Sequence, residues 1–135
     1  MPYEHTFTVP QEAIDRNGHV NNVVYVQWMQ DVAIMHSDAT GGSKAAEESG
    51  GTWVARAHHI EYLRPAYEGD EVIARTWVSD AQRATSQRRY QFLRKGDETV
   101  IARGSTDWVF VDSGSGRPRR IPEEVNACYV IEHME

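Results

Sequence analysis

The sequence predicts an α+β fold in which one long helix packs on an antiparallel sheet, and three observations predict it. One apolar segment has helical spacing, four later segments have the composition of strands, and the connections between those strands are short. Short connections favour hairpins and therefore antiparallel pairing. A single amphipathic helix needs a cover for its apolar face, and a two-layer α+β domain is the simplest solution.

The first strand and the helix are predicted in the N-terminal third of the chain. Residues 3–9 are rich in aromatic and β-branched side chains, and a polar break at 11–22 follows them. From residue 23 to about residue 37, one broad face of a helix carries Tyr25, Trp28, Met29, Val32 and Met35. Gly41 and Gly42 are predicted to end this helix.

Four further strands are predicted at residues 52–64, 71–79, 85–94 and 99–112. The turns between them are predicted at residues 65–70, 80–82 and 95–98. The last strand places Val100, Ala102, Thr106, Trp108 and Phe110 on one face. The first of the four alternates poorly, which predicts a bulge or burial on both faces. A turn at 113–116 and a short helix within 122–131 complete the chain.

Length and composition indicate one globular domain over residues 1–135, with 40% hydrophobic and 25% charged residues. Cys128 is the only cysteine, so no internal disulfide can form. No segment reads as a signal peptide, and no apolar run reaches the roughly 18 residues of a membrane span. A cytoplasmic protein without a membrane span is expected.

The formal net charge of −6 argues against general nucleic-acid binding. Eight of the fourteen basic residues nevertheless lie in two stretches, 81–95 and 116–120. Either they bind a small polyanionic ligand, or they simply alternate outward on a strand. No metal site is expected, because His58 and His59 are adjacent on a strand and no H-E-x-x-H or CxxC pattern occurs.

The stretch from Asp15 to Tyr25 places a carboxylate, a glycine and two asparagines directly before the apolar helix. A general base or nucleophile at this point would lie beside free helical N–H groups, which can hold a negatively charged oxygen. Asp15 could equally be a turn or helix-capping residue.

This stretch reads D-x-x-G-H-V-N-N-x-x-Y and resembles a signature of hotdog-fold acyl-CoA thioesterases of the 4-hydroxybenzoyl-CoA thioesterase-like family. Two more blocks resemble the family: residues 59–66 with 69–71, and residues 108–112 with 115–118 and 121–122. The resemblance implies a five-stranded antiparallel sheet wrapped around one long central helix. It also implies hydrolysis of a fatty or aromatic acyl-CoA without a cofactor.

The resemblance also assigns roles to residues near the helix start. It implies Asp15 as nucleophile or general base and the backbone N–H of Asn22 as oxyanion donor. Gly18 is expected to permit a turn or a close approach of the acyl group, although Asn17 and Gly18 could form a hairpin turn. His19 could polarise the carbonyl, orient water or bond structurally.

Substrate contacts are expected from Tyr25, which lines the pocket or the core, and from arginines that bind the CoA phosphates. The arginine candidates are Arg64, Arg88 and Arg89, of which the last two must face opposite ways on a strand. The resemblance implies a homodimer or homotetramer with the site between subunits. A thioesterase for acyl carrier protein and a non-catalytic acyl-binding module are the alternatives.

Overall fold

A computed structural model describes residues 2–133 of the protein. Its strands are β1 (Tyr3–Thr8), β2 (Gly51–Tyr62), β3 (Glu71–Ala81), β4 (Thr85–Arg94) and β5 (Val100–Asp112). They form one sheet in the order β1-β3-β4-β5-β2, and every neighbouring pair is antiparallel. The helices are α1 (Asn22–Thr40), α2 (Gly42–Glu48) and α3 (Glu123–Asn126). The predicted architecture is confirmed.

Helix α1 begins and ends where the sequence signals lie. The Asn21 side chain accepts a hydrogen bond from the Val23 N–H (3.0 Å), which caps the first turn. Gly41 ends the helix with a φ of +87°, a left-handed conformation that glycine adopts without strain. Between these residues, Tyr25, Met29 and Val32 are buried against the sheet. Each buried side chain of this size stabilises the fold by roughly 1.5–3 kcal/mol.

The strands differ from the prediction mainly at their ends. Strand β3 continues through Ala81, so the turn predicted at 80–82 lies about two residues later. Strand β2 ends at Tyr62, which leaves Arg64 in the following loop. The bulge expected in β2 is confirmed by a register shift between Ala55 and Ala57.

Two helical predictions are corrected. Gly42, expected only as part of the helix stop, begins the short helix α2, because the left-handed Gly41 redirects the chain and helical residues resume directly. The short helix expected within 122–131 is limited to the four residues of α3. Ala46 of α2 and Val125 of α3 pack with Phe110 in a second, smaller core cluster.

Helix α1 crosses the sheet from one end to the other. At its start, the Tyr62 hydroxyl at the end of β2 donates a hydrogen bond to the Asn22 carbonyl oxygen (2.9 Å). Near its end, the Arg88 guanidinium of β4 bonds His36 (2.8 Å). Fourteen residues separate these contacts, which is roughly 21 Å along the helix axis.

Candidate active site

The loop that carries Asp15 is a tight hairpin-like turn. An isolated antiparallel bridge joins Ile14 and Val20, the Asp15 N–H bonds the His19 carbonyl oxygen (3.0 Å), and the Gly18 N–H bonds the Asp15 carbonyl oxygen (3.0 Å). Gly18 has a φ of +84°, as the residue after a tight turn requires. The segment therefore forms the hairpin turn that was one alternative, and helix α1 still follows it.

The Asp15 carboxylate is oriented by its own loop. One carboxylate oxygen, Oδ1, accepts a hydrogen bond from the Asn17 N–H (2.8 Å), which is an Asx-turn contact. Within residues 2–133, no hydrogen bond reaches Oδ2. The side chain is half-buried, so one oxygen fixes the carboxylate while the other is available to a reactant.

The loop is anchored to the core on both sides of Asp15. The N–H of buried Val20 bonds the Ala66 carbonyl oxygen (2.8 Å), and the Asn21 N–H bonds the Ala13 carbonyl oxygen (2.9 Å). The first bond holds the loop against the segment between β2 and β3, and the second ties the end of the loop to its beginning. The Asp15 backbone therefore has a defined position relative to the start of α1.

The first turn of α1 presents an N–H group that has no internal acceptor. Asn21, not Asn22, is the capping residue, and its backbone and side-chain oxygens take the N–H groups of Val24 and Val23. In the part of the chain that the structure describes, the Asn22 N–H makes no hydrogen bond. An N–H at this position is available to a ligand oxygen.

Tyr62 supports the helix start, a role that the sequence did not reveal. Its hydroxyl bonds the Asn22 carbonyl oxygen, and its ring lies edge-on to that of Tyr25 with centroids 5.4 Å apart. Tyr62 falls within one of the family-like blocks, which was the only signal for it. The contact joins the end of β2 to the residue whose N–H is free.

Tyr25 belongs to the core and not to an open surface. Its side chain is 3% exposed and contacts Trp28 and Phe92 in the same cluster. Burial, with smaller contributions from Tyr62 and Asp70, raises the pKa of Tyr25 to about 12. The phenol therefore stays protonated at neutral pH. His19, closer to Asp15, bonds the Val20 carbonyl oxygen through Nδ1 (3.3 Å).

The three candidate arginines do not lie together. Arg64 is exposed in the loop after β2, at the same end of the sheet as Asp15. Arg88 and Arg89 do face opposite ways: Arg89 is exposed, whereas Arg88 is 4% exposed and bonds His36 on the inner face. Within one chain, Arg88 is thus at the far end of α1 from Asp15.

The histidine and acidic side chains of the described residues are dispersed over the structure. Among residues 2–133, no three His, Cys, Asp or Glu side chains come together as a metal site. His58 bonds Thr106 (2.9 Å) and His59 contacts Glu61 (3.4 Å), on opposite faces of β2. None of the helices in the described range is long and apolar enough to span a membrane.

Comparison with solved structures shows the same fold. A 1,4-dihydroxy-2-naphthoyl-CoA thioesterase from Synechocystis superimposes with a TM-score of 0.84 at 14% identity, over 95% of each chain. A Staphylococcus aureus protein of hypothetical function in complex with CoA gives 0.85 at 20% identity, over 95% of this chain and 81% of that one. An acyl-ACP thioesterase from Bacteroides thetaiotaomicron gives 0.88 at 20% identity, over 98% of this chain and 54% of that one. The predicted hotdog fold is confirmed.

The sequence itself identifies the family. No curated protein matches the chain. The family model described as the thioesterase-like superfamily matches residues 9–128, which includes the Asp15 loop, α1 and every strand after it. The chain belongs to the thioesterase-like superfamily, whose reaction is thioester hydrolysis.

Proposed function

We propose that the protein hydrolyses acyl-CoA thioesters, with Asp15 as the catalytic carboxylate and the Asn22 N–H as the oxyanion donor. One observation supports this most directly: an oriented carboxylate with a free oxygen and an N–H without an acceptor lie on the same anchored segment at the start of α1. Hydrolysis of a thioester needs these two groups, one to deliver oxygen and one to stabilise the negative charge.

The carboxylate has two possible roles, which differ in whether a bond forms between an Asp15 oxygen and the carbonyl carbon of the substrate. As a general base, Asp15 takes a proton from a water molecule while the water oxygen adds to the carbonyl carbon. As a nucleophile, its free oxygen adds to that carbon and forms an anhydride, which water then hydrolyses. In both cases the negative charge develops on the carbonyl oxygen, the C–S bond breaks, and the CoA thiolate leaves and takes up a proton.

The remaining residues near the loop have supporting roles in this proposal. Gly18 provides the turn that places Asp15, and His19 holds the loop through its bond to the Val20 carbonyl oxygen. Arg64 is the first candidate for the CoA phosphates because it is exposed at this end of the sheet, and Arg89 is an exposed alternative. Tyr25 and Arg88 are buried, so neither is proposed as a contact for the CoA phosphates.

The proposal includes a homodimer formed through β2. Within residues 2–133, β2 pairs with β5 alone, so the other edge of this 12-residue strand presents N–H and C=O groups without a strand partner, and residues 56–59 are exposed. Antiparallel pairing of two copies about a two-fold axis would close both edges. Such pairing also places the end of β2 from one subunit, with its Asp15 loop, beside the start of β2 from the other.

The test is release of free thiol from short, long and aromatic acyl-CoA esters and from acyl carrier protein thioesters. Asp15→Asn keeps an oxygen for the Asn17 N–H, so the loop should be retained while turnover falls on the order of 10² to 10⁴-fold. Asp38→Asn, the same change at an exposed position on α1, is the matched control and should retain turnover. Turnover by Asp15→Asn at the control's rate would remove Asp15 from the mechanism.

Substrate class is decided by the same panel. Faster release from CoA esters supports the proposal, whereas release only from carrier-protein thioesters replaces the CoA substrate with that alternative. No release from any thioester would favour the non-catalytic acyl-binding module. The oligomeric state is checked by analytical ultracentrifugation.

A further inference from the structure

A cavity of about 660 Å³ lies at the C-terminal end of α1, at the opposite end of the sheet from Asp15. Its walls come from α1, α2, four strands and the C-terminal segment, and include Ile34, Ala46, Trp53, Arg88, Trp108 and Tyr129. This volume falls within the range of small-molecule sites, which is roughly 300–1,000 Å³. The walls are mainly apolar, and the candidate active site uses none of these residues from the same chain.

The cavity contains a buried cation. Arg88 is 4% exposed, and its Nη1 atom donates to His36 Nδ1 (2.8 Å) and Thr76 Oγ1 (3.1 Å). Neither Nε nor Nη2 forms a hydrogen bond to the part of the chain that the structure describes. Most of the donors of this guanidinium are therefore unused, although the residue lines a cavity.

The Arg88 guanidinium has no directly bonded counter-ion among residues 2–133. Within residues 2–133, no carboxylate forms an ion pair with it, and Glu47, which also lines the cavity, is exposed. Burial, together with the nearby Arg88 charge, lowers the pKa of His36 to about 4, against a smaller opposing effect of Glu132. His36 is thus neutral at pH 7 and accepts the Arg88 hydrogen bond without supplying charge. Buried charges in proteins are normally paired, and Arg88 differs because no carboxylate of residues 2–133 forms an ion pair with it.

The aromatic ring of Tyr129 fixes the guanidinium from another side. Its ring centroid lies 5.9 Å from Arg88 Cζ, and its hydroxyl donates to Ser37 Oγ (2.8 Å). An added Cβ on Gly42 would collide with this ring, so the glycine is what allows Tyr129 to fit. The C-terminal segment is held in turn by a bridge between Ile131 and Val78.

We propose that this cavity binds an apolar molecule that carries a carboxylate, with Arg88 as its counter-ion and Trp53 and Trp108 against its apolar body. A carboxylate matches the planar donor pattern of a guanidinium and can accept hydrogen bonds from its unused N–H groups. This chemistry has two possible sources. One is a free carboxylic acid, and the other is a second carboxylate at the far end of the acyl group of a thioester.

Binding to the intact protein is measured by calorimetry with two acids, 2-naphthoate and decanoate, each against its uncharged primary amide. The acids should bind at least tenfold more tightly than their amides. Arg88→Met keeps an unbranched apolar side chain and removes the guanidinium with its charge. It should abolish the preference for the acid, since a lost charge-assisted hydrogen bond corresponds to roughly 10- to 100-fold in affinity. Arg89→Met, the adjacent arginine on the opposite face, is the matched control and should retain the preference.

Two results would overturn the proposal without any variant at Arg88: the absence of saturable binding, or equal affinity for an acid and its amide. A third variant tests the location. Ala81→Phe narrows the cavity from its half-buried wall without changing the guanidinium, and it should weaken acid and amide alike. Unchanged binding by Ala81→Phe, or a preference that survives Arg88→Met, would place the ligand elsewhere.

Turnover assays distinguish a free acid from a carboxylate at the far end of the acyl group. Among the experiments on this cavity, only these assays rest on the proposed function. If the acyl group itself enters the cavity, Arg88→Met lowers kcat/KM for a CoA monothioester of a dicarboxylic acid and spares the matched monocarboxylic ester. If the ligand is a free acid, Arg88→Met changes kcat/KM for both esters equally. Acid binding by a protein without thioesterase activity contradicts the proposed function alone, and an active enzyme that binds no acid contradicts this inference alone.

Discussion

Replacement of Gly18 by alanine isolates the backbone contribution to the Asp15 loop. Gly18 has a φ of +84°, and a Cβ added there meets no atom within 4 Å. No steric contact therefore enters the cost. An L-residue in the left-handed conformation costs roughly 1–2 kcal/mol, while the loss of freedom in the unfolded chain returns roughly 0.4–1 kcal/mol. Gly18→Ala should lower the free energy of unfolding by about 1 kcal/mol.

Gly96 is the matched control for this experiment. It also has open space around an added Cβ, but its φ is not in the left-handed range. Gly96→Ala should therefore change the free energy of unfolding by zero to about +1 kcal/mol through the unfolded chain alone. Gly18→Asn should cost less than Gly18→Ala, because asparagine adopts the left-handed region more readily.

The assay is urea unfolding followed by tryptophan fluorescence, with kcat/KM measured on the same samples. The free energy of unfolding of Gly18→Ala should be about 1–2 kcal/mol below that of the Gly96→Ala control. The variant should also lose turnover, because the strained loop carries Asp15. Equal stability of the two alanine variants would refute the claim that backbone conformation selects glycine at position 18.

Three further predictions concern the helix start, the phosphates and pH. Asn21→Ala should destabilise the protein by about 1 kcal/mol in urea unfolding, and Asn21→Ser should restore most of it, since the cap to Val23 is lost and regained. Arg64→Glu should raise KM for CoA esters and leave kcat near its original value in steady-state assays, and an unchanged KM would exclude a phosphate contact. The pKa of His36 is lowered to about 4, so as the pH falls the unfolded chain takes up this proton before the folded chain does. The free energy of unfolding should therefore fall between about pH 6.5 and about pH 4, by about 1–2 kcal/mol after allowance for partial exposure. His36→Asn should flatten this part of the stability profile relative to the original protein, and an unchanged slope would contradict the assignment.

The sequence predicted the elements whose signals are local. Gly41 stops α1 because its left-handed conformation is a property of glycine, and the apolar spacing from Tyr25 to Val32 follows from helical geometry. The bulge near Ala55 was visible as broken alternation. Helix α2 was missed because seven mostly polar or small residues carry no periodic apolar face.

The candidate site was predicted less completely, because part of it depends on contacts between distant segments. The Asp15 loop could be located from its motif, but the bond between Tyr62 and Asn22 joins residues 40 positions apart. Alternation showed that Arg88 and Arg89 face opposite ways and could not say which one faces inward. That choice is made by the packing of β4 against α1, where His36 accepts the Arg88 hydrogen bond.

The two ends of α1 thus carry complementary chemistry that a single chain keeps apart. The start offers an oriented carboxylate and a free N–H, and the end offers a cavity with a buried cation, roughly 21 Å away along the axis. In the proposed dimer, antiparallel pairing of β2 sets the Asp15 loop of one subunit beside the start of β2 in the other, where Trp53 lines the cavity. The reacting carbonyl and the far end of its acyl group would then lie in different subunits. Ala57→Pro, at an exposed position of β2, should disrupt the dimer. It should therefore abolish turnover and leave acid binding to the monomer intact. A misfolded chain would lose both activities, and an active site within one subunit would keep both.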